Sequence, residues 1–118
     1  MIVLGQVGLG YWGPNLLRNF QALPTAKVKA LCDLNAEALS RAGERYPELL
    51  RTTEFADLLR DPEIGAVVVS SSATTHYRLA RAALEAGKHV FVEKPIALHV
   101  GEAETLIRRI VDEVPVPT

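Results

Sequence analysis

The chain has 118 residues, of which 48% are hydrophobic and 23% are charged, and its formal net charge at pH 7 is −1. This length accommodates one domain, and the composition is typical of a globular protein with a sizeable core, which excludes a disordered chain. The small net charge excludes the basic surface that nucleic acid or an anionic membrane requires, so neither is predicted as a partner.

No apolar stretch approaches the roughly 20 residues that span a bilayer, and the N-terminus lacks the basic region and cleavage site of a signal peptide. We therefore predict a cytoplasmic protein. Cys32 is the single cysteine, which excludes an internal disulfide framework. Its place at the end of an apolar run favours a small buried residue over a reactive thiol. No metal site is predicted.

Predicted strands and helices alternate along the whole chain. Strands are expected over residues 2–7, 28–32, 49–52, 66–70 and 89–92. Helices are expected from about residue 11–14 to 20, and over residues 35–46, 54–60, 75–86 and 99–114. Thr53 is the expected N-cap of the helix at 54–60, and Gly87 the expected C-cap of the helix that ends at 86. The alternation predicts an α/β fold, a Rossmann-type doubly wound parallel sheet of about five strands with helices on both faces, forming one domain over residues 1–118.

A glycine-rich turn follows the first predicted strand, with the spacing G-x-G-x-x-G. In a dinucleotide-binding fold Gly8 permits the tight turn, Gly10 lets the backbone approach the pyrophosphate, and Gly13 lets the helix pack closely. The helix that begins there directs unpaired N–H groups and the positive end of its dipole at the same point. The turn therefore predicts a dinucleotide phosphate site that includes Tyr11 and Trp12.

An acidic residue, Asp33, ends the second predicted strand, twenty residues after Gly13. A dinucleotide fold places there the acid that accepts hydrogen bonds from the adenosine ribose. The alternative is that Asp33 only caps the helix that begins near Asn35. We favour the ribose, and because a carboxylate repels a 2′-phosphate and Leu34 and Asn35 carry no positive charge, NAD is preferred over NADP.

Polar residues also follow the fourth predicted strand. In a parallel sheet, ligands bind at the carboxyl ends of the strands. Ser71, Ser72 and Thr75 offer hydroxyls that could line a cofactor site, although such a cluster is also an ordinary helix N-cap region. His76 could donate to a phosphate or ribose, or could be solvated or capping.

The fifth predicted strand is followed by Glu93, Lys94 and Pro95. A Glu-Lys pair at a strand end is commonly a surface ion pair. Alternatively, Lys94 held rigid by Pro95 could place an ammonium group beside the reacting carbon of a bound substrate.

Together, these motifs resemble the nucleotide-binding half of the glucose–fructose oxidoreductase and inositol dehydrogenase family. The residues that carry the resemblance are the glycine turn, Asp33, the segment 74–77 and above all Glu93-Lys94-Pro95, and it extends over residues 2 to about 111. The resemblance implies that Lys94 contacts the nicotinamide ribose and the substrate hydroxyl and assists proton transfer. It implies that Glu93 helps hold the nicotinamide side and that the Lys94–Pro95 bond is often cis. The match over residues 10–15 is similar to members that act on nucleotide-linked sugars.

The resemblance also implies parts that we do not find in this sequence. Members of the family continue into a sixth strand and a larger α+β domain that binds the sugar and supplies an aspartate and a histidine. Here the alternating prolines Pro115 and Pro117 disfavour a sixth central strand. We therefore expect the substrate domain to be absent, the isolated chain to turn over poorly, and exposed apolar surface to promote self-association into a homo-oligomer.

Two functions remain open from the sequence. The first is the NAD-binding domain of an oxidoreductase that transfers hydride between nicotinamide and a sugar, nucleotide-sugar or polyol hydroxyl. The second is a non-enzymatic dinucleotide-binding module or redox sensor that has lost its catalytic half. A third, weaker option is a surviving fold with an empty site, against which the retained glycines, Asp33 and Lys94 argue.

Overall fold

The computed structural model describes residues 1–10 and 13–92. The elements in chain order are β1 (Ile2–Val7), α1 (Gly13–Gln21), β2 (Ala26–Cys32), α2 (Ala36–Arg45), β3 (Leu50–Thr52), α3 (Phe55–Arg60), β4 (Ala66–Val69), a 3₁₀ turn (Ala73–Thr75), α4 (His76–Glu85) and β5 (His89–Val92). All five strands and four of the helices were predicted from the sequence. The expected last helix, from His99 onward, lies outside the described residues.

All strand pairs in the sheet are parallel, and the spatial order is β3-β2-β1-β4-β5. The chain runs outward from β1 through β2 to β3, and then returns to the other side of β1 to add β4 and β5. The connections after β1 and β4 therefore lead to helices on opposite faces of the sheet, at the point where the strand order reverses. In doubly wound sheets this switch point is where ligands bind.

Helices cover the sheet on both faces, as predicted. One core cluster packs Leu17 of α1 and Leu39 of α2 on one face, and the other packs Leu58 of α3 and Leu79 of α4 on the opposite face. β4 is the most buried strand, and the side chains of Val67, Val68 and Val69 are at most 1% exposed. This burial explains why β4 is a continuous apolar run rather than an alternating one.

The helix caps partly differ from expectation. Asn35 is the N-cap of α2, where its side chain accepts hydrogen bonds from the N–H groups of Glu37 and Ala38. The prediction that Thr53 caps α3 is wrong, because the N-cap is Glu54, which makes no side-chain capping bond. The neighbouring Thr52 instead accepts the Glu54 N–H through its Oγ1, at 3.0 Å.

Gly87 ends α4 as predicted, with φ at +79°. Its N–H donates to Leu84 O, and the N–H of Lys88 donates to Ala83 O, each at 3.0 Å. This pair of bonds is a Schellman motif, which requires a left-handed residue at the position of Gly87. Gly87 thus reverses the chain from α4 into β5.

Two lysine side chains bind the turn between α3 and β4, at the end of the sheet opposite to the switch point. Lys29 of β2 contacts Asp61 at 2.7 Å and Glu63 at 3.1 Å. Lys88 donates through its Nζ to the carbonyls of Asp61 and Ile64, at 2.8 and 2.6 Å. The turn between α3 and β4 is therefore held from both sides. None of the helices described in residues 1–10 and 13–92 is long and apolar enough to cross a membrane.

Candidate functional site

A cleft of about 470 Å³ opens over the switch point, at the carboxyl ends of β1, β2 and β4. Six residues predicted to bind a cofactor line it, namely Gly8, Gly10, Asp33, Ser71, Ser72 and Thr75. They come from three separate segments that the topology brings together. Gly13 and His76 do not line the cleft, although both lie next to it.

The three glycines of the turn differ in their surroundings. Gly8 has φ at +100°, and a Cβ placed on it would lie 2.3 Å from the backbone nitrogen of Ser71. A Cβ on Gly13 would lie 2.4 Å from the Gly8 carbonyl oxygen, so this glycine allows α1 to start against the turn. A Cβ on Gly10 would meet no atom of the described residues within 4 Å. Gly10 therefore borders open space in the cleft.

The Asp33 carboxylate is anchored to backbone on two sides. Its Oδ2 accepts the N–H of Leu9, within the glycine turn, at 2.7 Å, and its Oδ1 accepts the N–H of Asn35 at 2.8 Å. Asp33 is not the cap of α2, because Asn35 performs that role. These two bonds fix the carboxylate at the edge of the cleft, and its remaining lone pairs are able to accept ribose hydroxyls.

The hydroxyl cluster after β4 is bonded within itself rather than to a helix end. Neither Ser72 nor Thr75 caps a helix through its side chain. The Thr75 hydroxyl donates to Ser72 O at 2.7 Å and lies 2.6 Å from the Ser71 hydroxyl. Ser72 and Thr75 therefore do occupy the N-cap positions of the 3₁₀ turn and of α4, but without a side-chain capping bond, and both residues line the cleft together with Ser71.

His76 is buried, with 2% of its surface exposed, so the solvated alternative is wrong. Its Nε2 lies 2.9 Å from the carbonyl oxygen of Ser71. The imidazole thus supports the segment that carries the hydroxyls from behind. A role for His76 in direct contact with cofactor stays a prediction.

Cys32 also lines the cleft but is 2% exposed and belongs to the apolar core. Burial raises the pKa of its thiol to about 11, and the charge of the neighbouring Asp33 adds to the shift. A thiol with this pKa is protonated at neutral pH and is a poor nucleophile. The expectation of a buried cysteine is confirmed, and its low reactivity stays a prediction.

Sequence reasoning missed two features of the site. The first is Arg78, the one positively charged residue among the described residues that line the cleft. It lies three residues after Thr75, so the helical spacing of α4 could have indicated that both share a face. The second is the pair Gln6 and Ser70, which is buried beneath the glycine turn. A glutamine within an otherwise apolar strand was the available signal.

Several predicted site residues lie outside the described part of the chain. They are Tyr11, Trp12, Glu93, Lys94 and Pro95. Their roles stay predictions. Within residues 1–10 and 13–92, no group of three or more histidine, cysteine or acidic side chains is arranged to hold a metal ion.

A parallel sheet with a glycine turn, a helix N-terminus and an acid at its switch point defines a dinucleotide-binding Rossmann domain. Residues 2–113 match the family described as "Oxidoreductase family, NAD-binding Rossmann fold". The chain belongs to this family, which is the glucose–fructose oxidoreductase and inositol dehydrogenase family that the motifs resemble, and it is a nicotinamide-dinucleotide-binding domain of that family.

Individual relatives agree with this assignment. Myo-inositol 2-dehydrogenase of Thermotoga maritima is 32% identical over 104 residues, which cover 88% of this chain and 31% of the relative. GenD2 from gentamicin A biosynthesis, solved in complex with NAD, superposes with a TM-score of 0.90 at 27% identity, over 98% of this chain and 33% of its own.

Biliverdin reductase of Synechocystis, solved with biliverdin and NADP⁺, shares the fold with a TM-score of 0.89 at 24% identity, over 95% of this chain and 35% of its own. The chain spans about a third of the length of these relatives. NAD and NADP⁺ are thus both found in structures that share this fold.

Proposed function

We propose that the cleft binds NAD and that the chain is the cofactor-binding part of an oxidoreductase acting on a sugar, nucleotide-sugar or polyol hydroxyl. The observation that carries this proposal is the placement of the Asp33 carboxylate and the open side of Gly10 in one cleft beside the N-terminus of α1. The carboxylate suits ribose hydroxyls, and the glycine turn with the helix end suits a pyrophosphate. NAD would supply the hydride chemistry, while this chain binds and orients it.

Asp33 supports NAD over NADP. Its fixed carboxylate would repel a 2′-phosphate, and a charged hydrogen bond to the ribose is worth about 1.5–3 kcal/mol. Leu34 is uncharged, and the Asn35 side chain is already engaged as the cap of α2. The residues directly after β2 therefore offer no cation to a 2′-phosphate.

Arg78 is the residue that bears most on this choice. Its side chain is exposed on the wall of the cleft, and within the described part of the chain it forms no hydrogen bond or ion pair. A planar guanidinium stacks well on an aromatic base. Leu34, Phe55 and Leu79 supply apolar surface in the same cleft, as an adenine ring requires. We assign Arg78 to the adenine base rather than to a 2′-phosphate.

Titration of the chain with NADH and NADPH, followed by nicotinamide fluorescence, tests the cofactor assignment. We expect NADH to bind more tightly and Asp33→Ala to lose that preference. Arg78→Ala should weaken both cofactors alike, by about fivefold, because both contain adenine. Arg81→Ala is the matched control, since Arg81 lies on the same helix but pairs with Glu85. No binding by the wild-type chain would refute the cofactor assignment, and selective loss of NADPH in Arg78→Ala would refute the adenine assignment.

Lys94 is proposed as the catalytic residue on the basis of the family resemblance. Its ammonium group would polarise the substrate hydroxyl, with a second domain completing proton transfer. In a protein that carries that domain, Lys94→Met is expected to lower kcat by about 100-fold or more while NADH binding changes little. Equal losses in binding and kcat would instead make Lys94 a binding residue. Glu93 and Pro95 are proposed to support the nicotinamide side.

The alternative function is a dinucleotide-binding module or sensor without catalysis. Both functions require NAD binding, so the titration does not separate them. An activity assay separates them. It measures whether the longest natural protein that contains this chain oxidises polyols or nucleotide-linked sugars. Binding without any such turnover would support the sensor.

Self-association of the isolated chain is a further part of the proposal. Phe91 on β5 is 50% exposed and Leu50 on β3 is 58% exposed, and these are the two outer strands of the sheet that the described residues form. Exposed apolar residues on an edge strand favour pairing with a second copy or a second domain. Sedimentation should show a mass that rises with concentration, whereas a monomer at all concentrations would count against self-association.

A further inference from the structure

A buried polar cluster lies directly beneath the glycine turn. Gln6 is 0% exposed, and its Nε2 donates to Gly13 O at 2.8 Å and to the Ser70 hydroxyl at 3.1 Å, with Gly8 O at 3.4 Å. Ser70, 4% exposed, donates its hydroxyl to Gly8 O at 2.7 Å. One amide thus joins the first and the last glycine of the turn.

The orientation of the Gln6 amide follows from these neighbours. Two of the three atoms around its Nε2 are carbonyl oxygens, which accept and do not donate. The reverse orientation would place Oε1 against them. The amide nitrogen therefore faces the turn, which leaves the buried Oε1 without a hydrogen-bond partner in the described part of the chain.

This arrangement is unfavourable for stability alone. A buried acceptor without a partner costs folding free energy, and an apolar side chain of similar length would avoid that cost. The carbonyls would retain other donors, since Ser70 donates to Gly8 O and the Gly13 carbonyl is in the first turn of α1, where the helix supplies an N–H. Unsatisfied groups kept at such positions are expected at functional sites.

The bonds control the direction in which the turn presents its peptide groups. In a trans peptide the carbonyl and the following N–H point in opposite directions. With Gly8 O held inward by Ser70 and Gln6, the N–H of Leu9 points outward, where it meets Asp33. The peptide between Gly13 and Pro14 has no N–H, so its carbonyl is the only group by which a side chain can hold it.

We propose that Gln6, acting with Ser70, is a positioning residue that fixes the glycine turn in the geometry that receives the dinucleotide phosphates. This inference rests on the proposed function. It adds a role for two buried residues that do not line the cleft. Gln6 does not touch the ligand; by holding the Gly8 and Gly13 carbonyls it fixes the path of the turn and its junction with α1.

The test compares Gln6→Met and Ser70→Ala with the wild-type chain by three measurements: NADH affinity, the midpoint of urea unfolding, and the hydrogen-exchange rate of the Leu9 amide. For Gln6→Met we expect the Kd for NADH to rise about tenfold or more while the unfolding midpoint is unchanged or higher. The Leu9 amide should exchange about tenfold faster because its peptide is no longer held. Ser70→Ala should change Kd and exchange in the same direction.

Ile64→Val is the control for a general loss of stability. Ile64 is 1% exposed and precedes β4, at the end of the sheet away from the turn, so this variant should lower the unfolding midpoint and leave Kd within about twofold. Unchanged Kd and unchanged Leu9 exchange in both Gln6→Met and Ser70→Ala would overturn the inference. If the wild-type chain binds no NADH, the proposed function fails, and Leu9 exchange still decides whether Gln6 positions the turn.

Discussion

At this site the orientation of individual peptide groups is constrained as well as the chemical type of each residue. Hydrogen bonds hold the Gly8–Leu9 peptide from two sides. Its carbonyl accepts from the Ser70 hydroxyl beneath the turn, and its N–H donates to Asp33 at the edge of the cleft. Asp33 is therefore a structural anchor of the turn as well as the proposed ribose ligand. A substitution there acts through both roles, which is why binding and stability need separate measurement.

Gly8 and Gly10 are predicted to respond differently to alanine. Gly8→Ala would place a Cβ 2.3 Å from Ser71 N at a positive φ, and we expect it to cost about 3 kcal/mol or more. The methyl of Gly10→Ala meets no atom within 4 Å in the part of the chain that the structure describes, so its free energy of unfolding should stay within about 0.5 kcal/mol of wild type. Its NADH affinity should nevertheless fall, because the added methyl occupies the space proposed for the phosphates.

Urea unfolding and NADH titration of both variants check this prediction. The informative variant is Gly10→Ala, since it separates binding from folding. Full NADH affinity in Gly10→Ala would show that the phosphates do not approach this glycine.

Cys32 is predicted to be inert in the folded chain. With burial raising its pKa to about 11, alkylation by iodoacetamide at pH 8 should be very slow and should become fast in urea. The sign of the linkage follows: because the folded pKa lies above the unfolded value, stability is lost as the pH rises past about 8.5 toward 11. Rapid labelling of the native chain, followed by mass spectrometry, would contradict this.

At the scale of elements, the pattern of apolar residues and turn residues was sufficient to predict the five described strands and the four described α-helices, but not the 3₁₀ turn. The ends of elements were less predictable, because a cap depends on which side chain reaches the free N–H groups. Gly87 satisfies a local rule for a helix end and was recognised, whereas Asn35 was expected only near the start of α2 and not as its N-cap. Thr53 has a suitable side chain for α3, but the structure begins that helix without a side-chain cap.

The end of α4 gives a prediction at this scale. Gly87→Ala introduces a Cβ that meets no atom within 4 Å in residues 1–10 and 13–92, so we expect its effect to come from the φ of +79°. We expect a loss of about 1–2 kcal/mol in the free energy of unfolding. Gly65→Ala is the matched control, because Gly65 is equally open but does not have a positive φ. Equal effects of the two variants in urea unfolding would contradict the Schellman assignment.

Across the whole molecule, stability and binding are placed at opposite ends of the sheet. The carboxyl ends of the strands carry the cleft, and the other end carries the ion pairs of Lys29 with Asp61 and Glu63. A substitution at the ion pairs should therefore change the free energy of unfolding without changing the affinity of the cleft for NADH. This separation makes the ion pairs a suitable probe of pH-dependent stability.

The hydrogen bond from Lys29, followed by that from the Glu63 backbone, lowers the pKa of Asp61 below its ordinary value. Its stabilising contribution is therefore present above about pH 3.9, the unfolded value, and is lost as the pH falls through the lower folded value. Asp61→Asn should reduce the free energy of unfolding at pH 7, and the gap from wild type should narrow in acid.

Urea unfolding from pH 7 down to pH 2 measures this gap. Glu63→Gln is the control, because Glu63 is the more exposed partner of Lys29 and should show a smaller gap. If the difference in the free energy of unfolding between wild type and Asp61→Asn does not change with pH, the charge of Asp61 does not contribute to stability.

The sequence by itself determined the element order, the parallel fold, the position of the glycine turn and the presence of an acid, Asp33, at the end of the second strand. These features follow from local backbone rules and from the spacing of apolar residues, which act within a few residues of each other. Only the tertiary structure decided that Gln6 and Ser70, 64 residues apart, support the turn, that Arg78 enters the cleft, and that His76 is buried. Burial and hydrogen-bond partners depend on which distant segments the fold brings into contact, and no local pattern specifies them.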